Sequence, residues 1–224
     1  MGKRMCREAD MKKKNLHAAS VSKAKSGMKT QQKSMTIVIY LGRDIKEYAK
    51  KSDEIIKRAI REGKIQCDHC FQPMSRHSSY ARGIREARRK ITITVVWCRE
   101  CEVWHALLPD FLLPRKHYSG NEIESVIIDS ASTPVSQIET EASESTVRRW
   151  ANQIGDNIRK AVGILKYLFG RLGQAVSEVA IDAGHGYSEL EQLLEMAPSN
   201  IKYSGNKLGL ANLWLGTNEA GAYI

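Results

Sequence analysis

Four of the five cysteines fall in two close pairs, Cys67-Asp-His-Cys70 and Cys98-Arg-Glu-Cys101. Two residues between cysteines let one tight turn aim both thiolates at a single ion, and two such turns complete a tetrahedron of soft ligands. That donor set suits zinc. Four thiolates leave no position for water or substrate, so the expected centre is structural: one zinc ion held by Cys67, Cys70, Cys98 and Cys101. Dithiol redox chemistry uses the same spacing, and His69 and His105 lie near enough in sequence to replace a thiolate. Cys6 stands alone. In a chain without secretory features, paired cysteines point to metal before disulfide.

A second stretch, Val135 to Trp150, carries a different chemistry. Val147, Trp150 and Ile154 fall at i, i+3 and i+7 and so share the inward face of a helix. Ser145, Arg148, Arg149 and Gln153 are left on the outer face. Guanidinium forks read guanine edges or clamp phosphates, and hydroxyls near a helix N-terminus suit phosphate. The expected DNA contacts are therefore Ser145, Thr146, Arg148, Arg149 and Gln153. Ile138, with Ile123 and Ile127, would support them, in the manner of a helix-turn-helix. The basic run containing Arg82, Arg85, Arg88, Arg89 and Lys90 is an auxiliary phosphate surface. A plain helical bundle with a solvated arginine pair has the same pattern, and Glu139, Glu141 and Glu144 add negative charge close by.

The elements that must position these groups follow from periodicity and caps. Residues 36–41 read as a strand, and Asp44 to Glu62 as a helix stopped by Gly63. Ile91 to Trp97 alternates as a strand that feeds the second cysteine pair. Leu107 to Pro114, with two prolines, reads as an extended packed linker. Ser119-Gly-Asn-Glu122 has the form of a capping box opening a helix to about Asp129. Further helices are expected at about 133–142, 143–154, 157–169, 172–181, 187–196 and 206–215. The fold class is α+β: an N-terminal zinc ribbon, a small antiparallel β structure, followed by a mostly helical helix-turn-helix domain. The divisions are a disordered basic tail at 1–34, a zinc-ribbon module with its leading strand and helix at 35–114, the helix-turn-helix at 115–155, and a C-terminal helical region at 156–224.

Charge sharpens the division. The 224 residues carry a formal charge of +10. Residues 1–34 hold ten Lys/Arg against Glu8 and Asp10, so the tail supplies eight of those charges. A lysine-rich segment without apolar periodicity has too little to bury to become ordered. No apolar run approaches the roughly 18 residues of a membrane span, and the expected compartment is the cytoplasm. Metal-dependent phosphoryl transfer would need carboxylates on a mixed sheet. Asp156, Asp182, Glu189, Glu191 and Glu195 lie in helical patterns instead, His185 in a loop, and glycine-rich phosphate loops are absent, so no catalytic residue and no small-molecule substrate are expected.

Cys98-x-x-Cys101, His105-Ala-Leu-Leu-Pro-Asp-Phe-Leu-Leu-Pro114, Tyr118-Ser119 and Ser145-Thr-Val-Arg-Arg-Trp150 together resemble an uncharacterised bacterial family. Its members join a transposase-type zinc ribbon to a helix-turn-helix, like the N-terminal parts of insertion-sequence transposases. The resemblance covers about residues 36–155. It implies the four-cysteine metal site, a DNA-reading helix from Glu144, and double-stranded DNA as partner, with a transposase or a second copy of the chain as further candidates. A transcriptional regulator and a zinc-ribbon protein-interaction module are the other readings. Asp68, His69 and Phe71 stand where such ribbons carry proline and glycine, which implies a looser first knuckle.

Overall fold

A computed structural model describes residues 35–172, 186–197 and 201–218. The basic tail, the helix expected at about 172–181 beyond Leu172, Asp182 and His185 lie outside them. Among the described residues no helix is long and apolar enough to cross a membrane.

The described chain is α+β. It runs β1 (Met35–Ile39), α1 (Ile45–Arg61), β2 (Ser75–Ile84), β3 (Arg89–Cys98), β4 (Val103–Pro109), α2 (Gly120–Asp129), a 3-10 turn (Val135–Gln137), α3 (Glu144–Arg171), α4 (Tyr187–Glu195) and α5 (Lys207–Asn218). The four strands form one sheet in the order β1-β4-β3-β2. The β2-β3-β4 part is antiparallel, but β1 pairs in parallel with β4, placing Ile37 against Leu107 and Ile39 against Pro109. The sheet is thus a mixed one of four strands, where a small antiparallel structure was expected.

Local chemistry accounts for α1. The Asp44 carboxylate accepts the N–H groups of Lys46 and Glu47, each at 2.8 Å, satisfying two of the donors a helix start leaves open. Gly63, with φ +66°, ends it. Tyr48 and Ile56 are buried on its inner face, and the Tyr48 hydroxyl donates to the Thr92 carbonyl of β3 at 2.6 Å.

Three expectations are corrected. Leu107 to Pro114 is not a linker throughout: Leu107 to Pro109 close β4, an interior strand, and Leu107, Leu108, Leu112 and Leu113 are fully buried. Pro109 is tolerated because it is the strand's last residue, where a missing donor breaks no ladder. The helix expected at 133–142 is only the 3-10 turn; the Thr140 hydroxyl donates to Glu122 Oε1 at 2.6 Å and accepts the Ala142 N–H at 3.0 Å, which fixes the segment as a turn. The helices expected at 143–154 and 157–169 are one helix of 28 residues, so the boundary drawn at 155 falls inside α3. Gly155 is buried on its inner face, and Asp156 turns outward to Arg159 at 2.5 Å.

Two apolar clusters form the core. One lies around the sheet and α1 and contains Cys67 and Cys98; the other joins α2, α3, α4 and α5 around Trp150, Leu165 and Phe169. Leu213 of α5 belongs to the sheet cluster, while Ile201 and Tyr203 pack against both.

Candidate metal centre and nucleic-acid interface

Two turns bring the cysteines together. The first spans 66–73 and is closed by the Cys67 N–H to the Gln72 carbonyl at 2.9 Å and the Phe71 N–H to the Cys67 carbonyl at 2.8 Å. The second joins β3 to β4, where Cys98 pairs with Val103. The four sulfurs lie within 4.8 Å of one another, with Cys67 to Cys101 at 3.9 Å and Cys70 to Cys98 at 3.4 Å. A tetrahedron with zinc–sulfur bonds of about 2.3 Å has edges of about 3.8 Å, so these sulfurs fit one ion. Cys67 and Cys98 are fully buried, while Cys70 and Cys101 are half-buried.

The thiols oppose one another electrostatically. Burial pushes the Cys67 thiol up, and hydrogen bonding to Cys70 raises Cys101. The backbone at Gln72 draws Cys70 down. Four thiolates this close repel one another unless a cation lies among them, and the four sulfurs are near enough together to hold one metal ion.

Phe71 follows Cys70 at φ +57°, and Glu102 follows Cys101 at φ +53°. Both turns therefore need the left-handed conformation that glycine adopts at least cost. The first knuckle, expected to be loose, is closed by backbone bonds at that expense. Phe71 is 71% exposed and offsets little of it by packing. Phe71→Gly should raise the stability of the metal-loaded protein by about 0.5–1 kcal/mol, the left-handed penalty less glycine's extra unfolded-chain entropy. Thermal unfolding at saturating metal checks this, and a lowered melting temperature contradicts it.

His105 lies beside the sulfurs. It is fully buried on β4 opposite Val96. Its Nε2 is 3.6 Å from Cys67 Sγ and its Nδ1 is 3.5 Å from Asp68 Oδ1. Burial lowers its proton affinity, and the ring lies between the Cys67 sulfur on one side and the Asp68 carboxylate on the other. Sequence reasoning weighed His105 only as a replacement ligand and missed Asp68; the signal was a histidine inside an apolar strand. His69 is exposed and stands outside the cluster.

The second set of expected residues lies on α3. Val147, Trp150 and Ile154 are buried as the periodicity requires, with Tyr118 edge-on to Trp150 at 4.9 Å. Ser145, Arg148, Arg149 and Gln153 are exposed, and Thr146 is half-buried. Ser143 begins the helix, and its Oγ shares hydrogen bonds with Ser145 Oγ at 3.1 Å and Thr146 Oγ1 at 3.0 Å. Arg148 meets Glu144 at 3.4 Å in an exposed i,i+4 pair, an arrangement worth a few tenths of a kcal/mol. The connection from α2 to α3 runs over 130–143 and holds one 3-10 turn. It is longer than the three- to four-residue turn of a helix-turn-helix.

The basic run on the hairpin divides. Arg82 is not an exposed phosphate contact: its guanidinium donates to the Leu113 carbonyl at 2.7 Å and to the Lys116 carbonyl. Arg85, Arg88, Arg89 and Lys90 are exposed around the β2–β3 tip. The loop 115–117 links this tip to α3. The Arg85 N–H donates to the His117 carbonyl at 2.9 Å, while Lys116 Nζ reaches Gln153 Oε1 at 3.4 Å. Burial, then the charge of Arg149, holds the Lys116 ammonium below its usual value. The capping box at Ser119 is also shared with the hairpin. Ser119 Oγ accepts the Glu122 N–H at 3.2 Å, but its own N–H goes to Glu86 Oε1 at 2.7 Å, because Glu122 is engaged by Thr140.

Of the acids weighed for catalysis, Asp156 pairs with Arg159, and Glu189 is bonded to Lys166 on α3.

Residues 67–150 match a family model described as Domain of unknown function (DUF6431). The match opens on Cys67, includes all four clustered cysteines, and closes on Trp150; it covers less than half of the chain. No curated protein and no solved structure matches the chain.

Proposed function

We propose that this chain is a DNA-binding protein in which a structural zinc ion, held by Cys67, Cys70, Cys98 and Cys101, fixes the sheet, and α3 offers its N-terminal half to a duplex. The carrying observation is the separation of faces on α3. Val147, Trp150 and Ile154 are buried, while Arg148, Arg149 and Gln153 are turned to solvent. Lys116 beside Gln153 extends that surface. A supporting helix joined by a tight turn is not required for this reading, because loop 115–117 and Tyr118 hold α3 from below. Zinc would polarise no substrate here; its chemistry is to neutralise the thiolates and tie the 66–73 turn to the β3–β4 turn. The resemblance of the cysteine and Arg-Arg-Trp segments to insertion-sequence proteins favours a transposon-associated or transposase-derived role over a host regulator.

The test is fluorescence anisotropy of the zinc-loaded protein with a random-sequence duplex and with DNA flanking its gene, at low and moderate salt. Arg148→Ala with Arg149→Ala should lower affinity tenfold or more, the worth of one or two contacts at about 1–3 kcal/mol each. Equal affinity in the double variant, or no binding by the wild type, sinks the reading. A partner protein captured in place of DNA would favour the interaction-module alternative.

A further inference from the structure

We infer that the β2–β3 hairpin tip is a second, separate phosphate-binding site, a cup that takes the backbone of the nucleic acid whose other contact is α3. The cup is an open cavity of about 430 Å³ lined by Gly83, Ile84, Arg85, Arg88, Arg89, Lys90 and His117. Four of these seven residues are cations, one is a histidine, and none is a carboxylate. Ile84, 1% exposed, forms an apolar floor. Gly83 leaves the wall open, since a Cβ there would meet nothing within 4 Å.

The acids near the cup are occupied or distant. Glu86 turns inward to the Ser119 N–H. Glu141 reaches only Arg88, at 4.0 Å, and both side chains are largely exposed, a geometry worth little in water. The concentrated charge is therefore left with only that weak exposed pair as counterion, and forked guanidiniums match the oxygens of a phosphate bidentately.

Two features show that the cations are placed rather than merely exposed. Arg88 has φ +47°. A tip in that conformation favours glycine or asparagine, and arginine there costs about 1–2 kcal/mol of backbone strain. The position carries a charge in spite of that cost. Arg85 is held over the Tyr118 ring, its guanidinium carbon 5.7 Å from the centroid, so its fork is partly ordered before any ligand arrives. Tyr118 also packs on Trp150 of α3, which connects the cup to the proposed reading helix through one aromatic pair.

This site deepens the duplex reading and rests on it for the source of the phosphate. The experiment compares the zinc-loaded wild type, Arg88→Gln with Arg89→Gln, and Arg148→Ala with Arg149→Ala, against two probes: a random duplex over a salt series, and sodium tripolyphosphate by calorimetry. All four substituted side chains are exposed, and matching melting temperatures establish that the variants fold. The hairpin variant should lose tripolyphosphate binding. Its plot of log affinity for duplex against log salt should be shallower by about 2, at about 0.9 for each phosphate contact. The α3 variant should keep tripolyphosphate binding. A wild type that binds tripolyphosphate but no duplex sinks the DNA reading and leaves the cup standing as a polyphosphate site. Equal tripolyphosphate binding by the wild type and the hairpin variant, or none by the wild type, overturns the cup whatever the duplex does.

Discussion

Cys98→Ser should strip the chain of its metal and remove most of the stability of the sheet. Structural zinc contributes on the order of 10 kcal/mol in small modules, against a total folding stability of about 5–15 kcal/mol for a domain. Here the loss is concentrated. The 66–73 turn is closed by the Gln66–Pro73 bridge and its own internal bonds, and its cysteines face those of the β3–β4 turn, so an ion among the sulfurs would fasten the two together. Serine at a fully buried position supplies neither a thiolate nor a hydrophobe. The sheet has more core than a bare ribbon, because Val38, Leu41, Tyr48 and Ile56 pack with the cysteines, and the helical cluster around Trp150 and Phe169 is separate. Hydrogen exchange on the variant, or on wild type treated with chelator, should therefore show protection lost first over 66–73 and the ends of β3 and β4, and kept longest in α3. Metal analysis after dialysis should find one zinc per wild-type chain and none in the variant. A wild type without stoichiometric metal, or a variant that melts with the wild type, removes the centre from the account of this fold.

The cysteine centre was legible because its information is local: donor type and a two-residue spacing survive without knowledge of the sheet. α1 was legible for a similar reason, since the Asp44 cap, the apolar period and Gly63 are read within 20 residues. β2 was not. Its residues Ser75 to Ala81 are exposed, so no alternation of apolar side chains marks it, and the strand exists through its ladder to β3. Arg82 looked like its exposed basic neighbours, yet two carbonyls from a loop about 30 residues on hold one nitrogen of its guanidinium. Pairings at that range carry no local signature. The exposed face of α3 could be read because burial at i, i+3 and i+7 fixes what remains outside. Its continuity through Gly155 could not, because a glycine followed by Asp156 and Asn157 reads as a break until a packed neighbour makes the small residue useful.

Asp110→Asn should make the protein progressively more stable relative to wild type as pH rises from 5 to 7.5. Asp110 lies in the segment first read as a linker, yet it is fully buried. Its Oδ2 accepts the Ser204 N–H at 2.6 Å, and among the described residues its Oδ1 has no hydrogen-bond partner. Burial therefore outweighs that bond and pushes the carboxyl up to about 6, from about 3.9 in an unfolded chain. Between these values the native state keeps a proton that the unfolded state has released. Stability held below about pH 4 is lost as pH climbs, and the loss is complete above about pH 6. Two pKa units correspond to about 3 kcal/mol, at 1.36 kcal/mol each, and roughly half of this accrues between pH 5 and 7.5. Asparagine has the same shape and no charge. Its own amide hydrogen-bonding changes the stability by a fixed amount, so the decisive quantity is the difference from wild type as a function of pH, measured by denaturant unfolding with zinc present. Any loss of metal at low pH affects both proteins and cancels in that difference. A difference that stays flat from pH 5 to 7.5 would mean that water or a neighbouring group solvates the Asp110 carboxylate, and that the contact from the end of β4 to the segment before α5 carries no ionisation penalty.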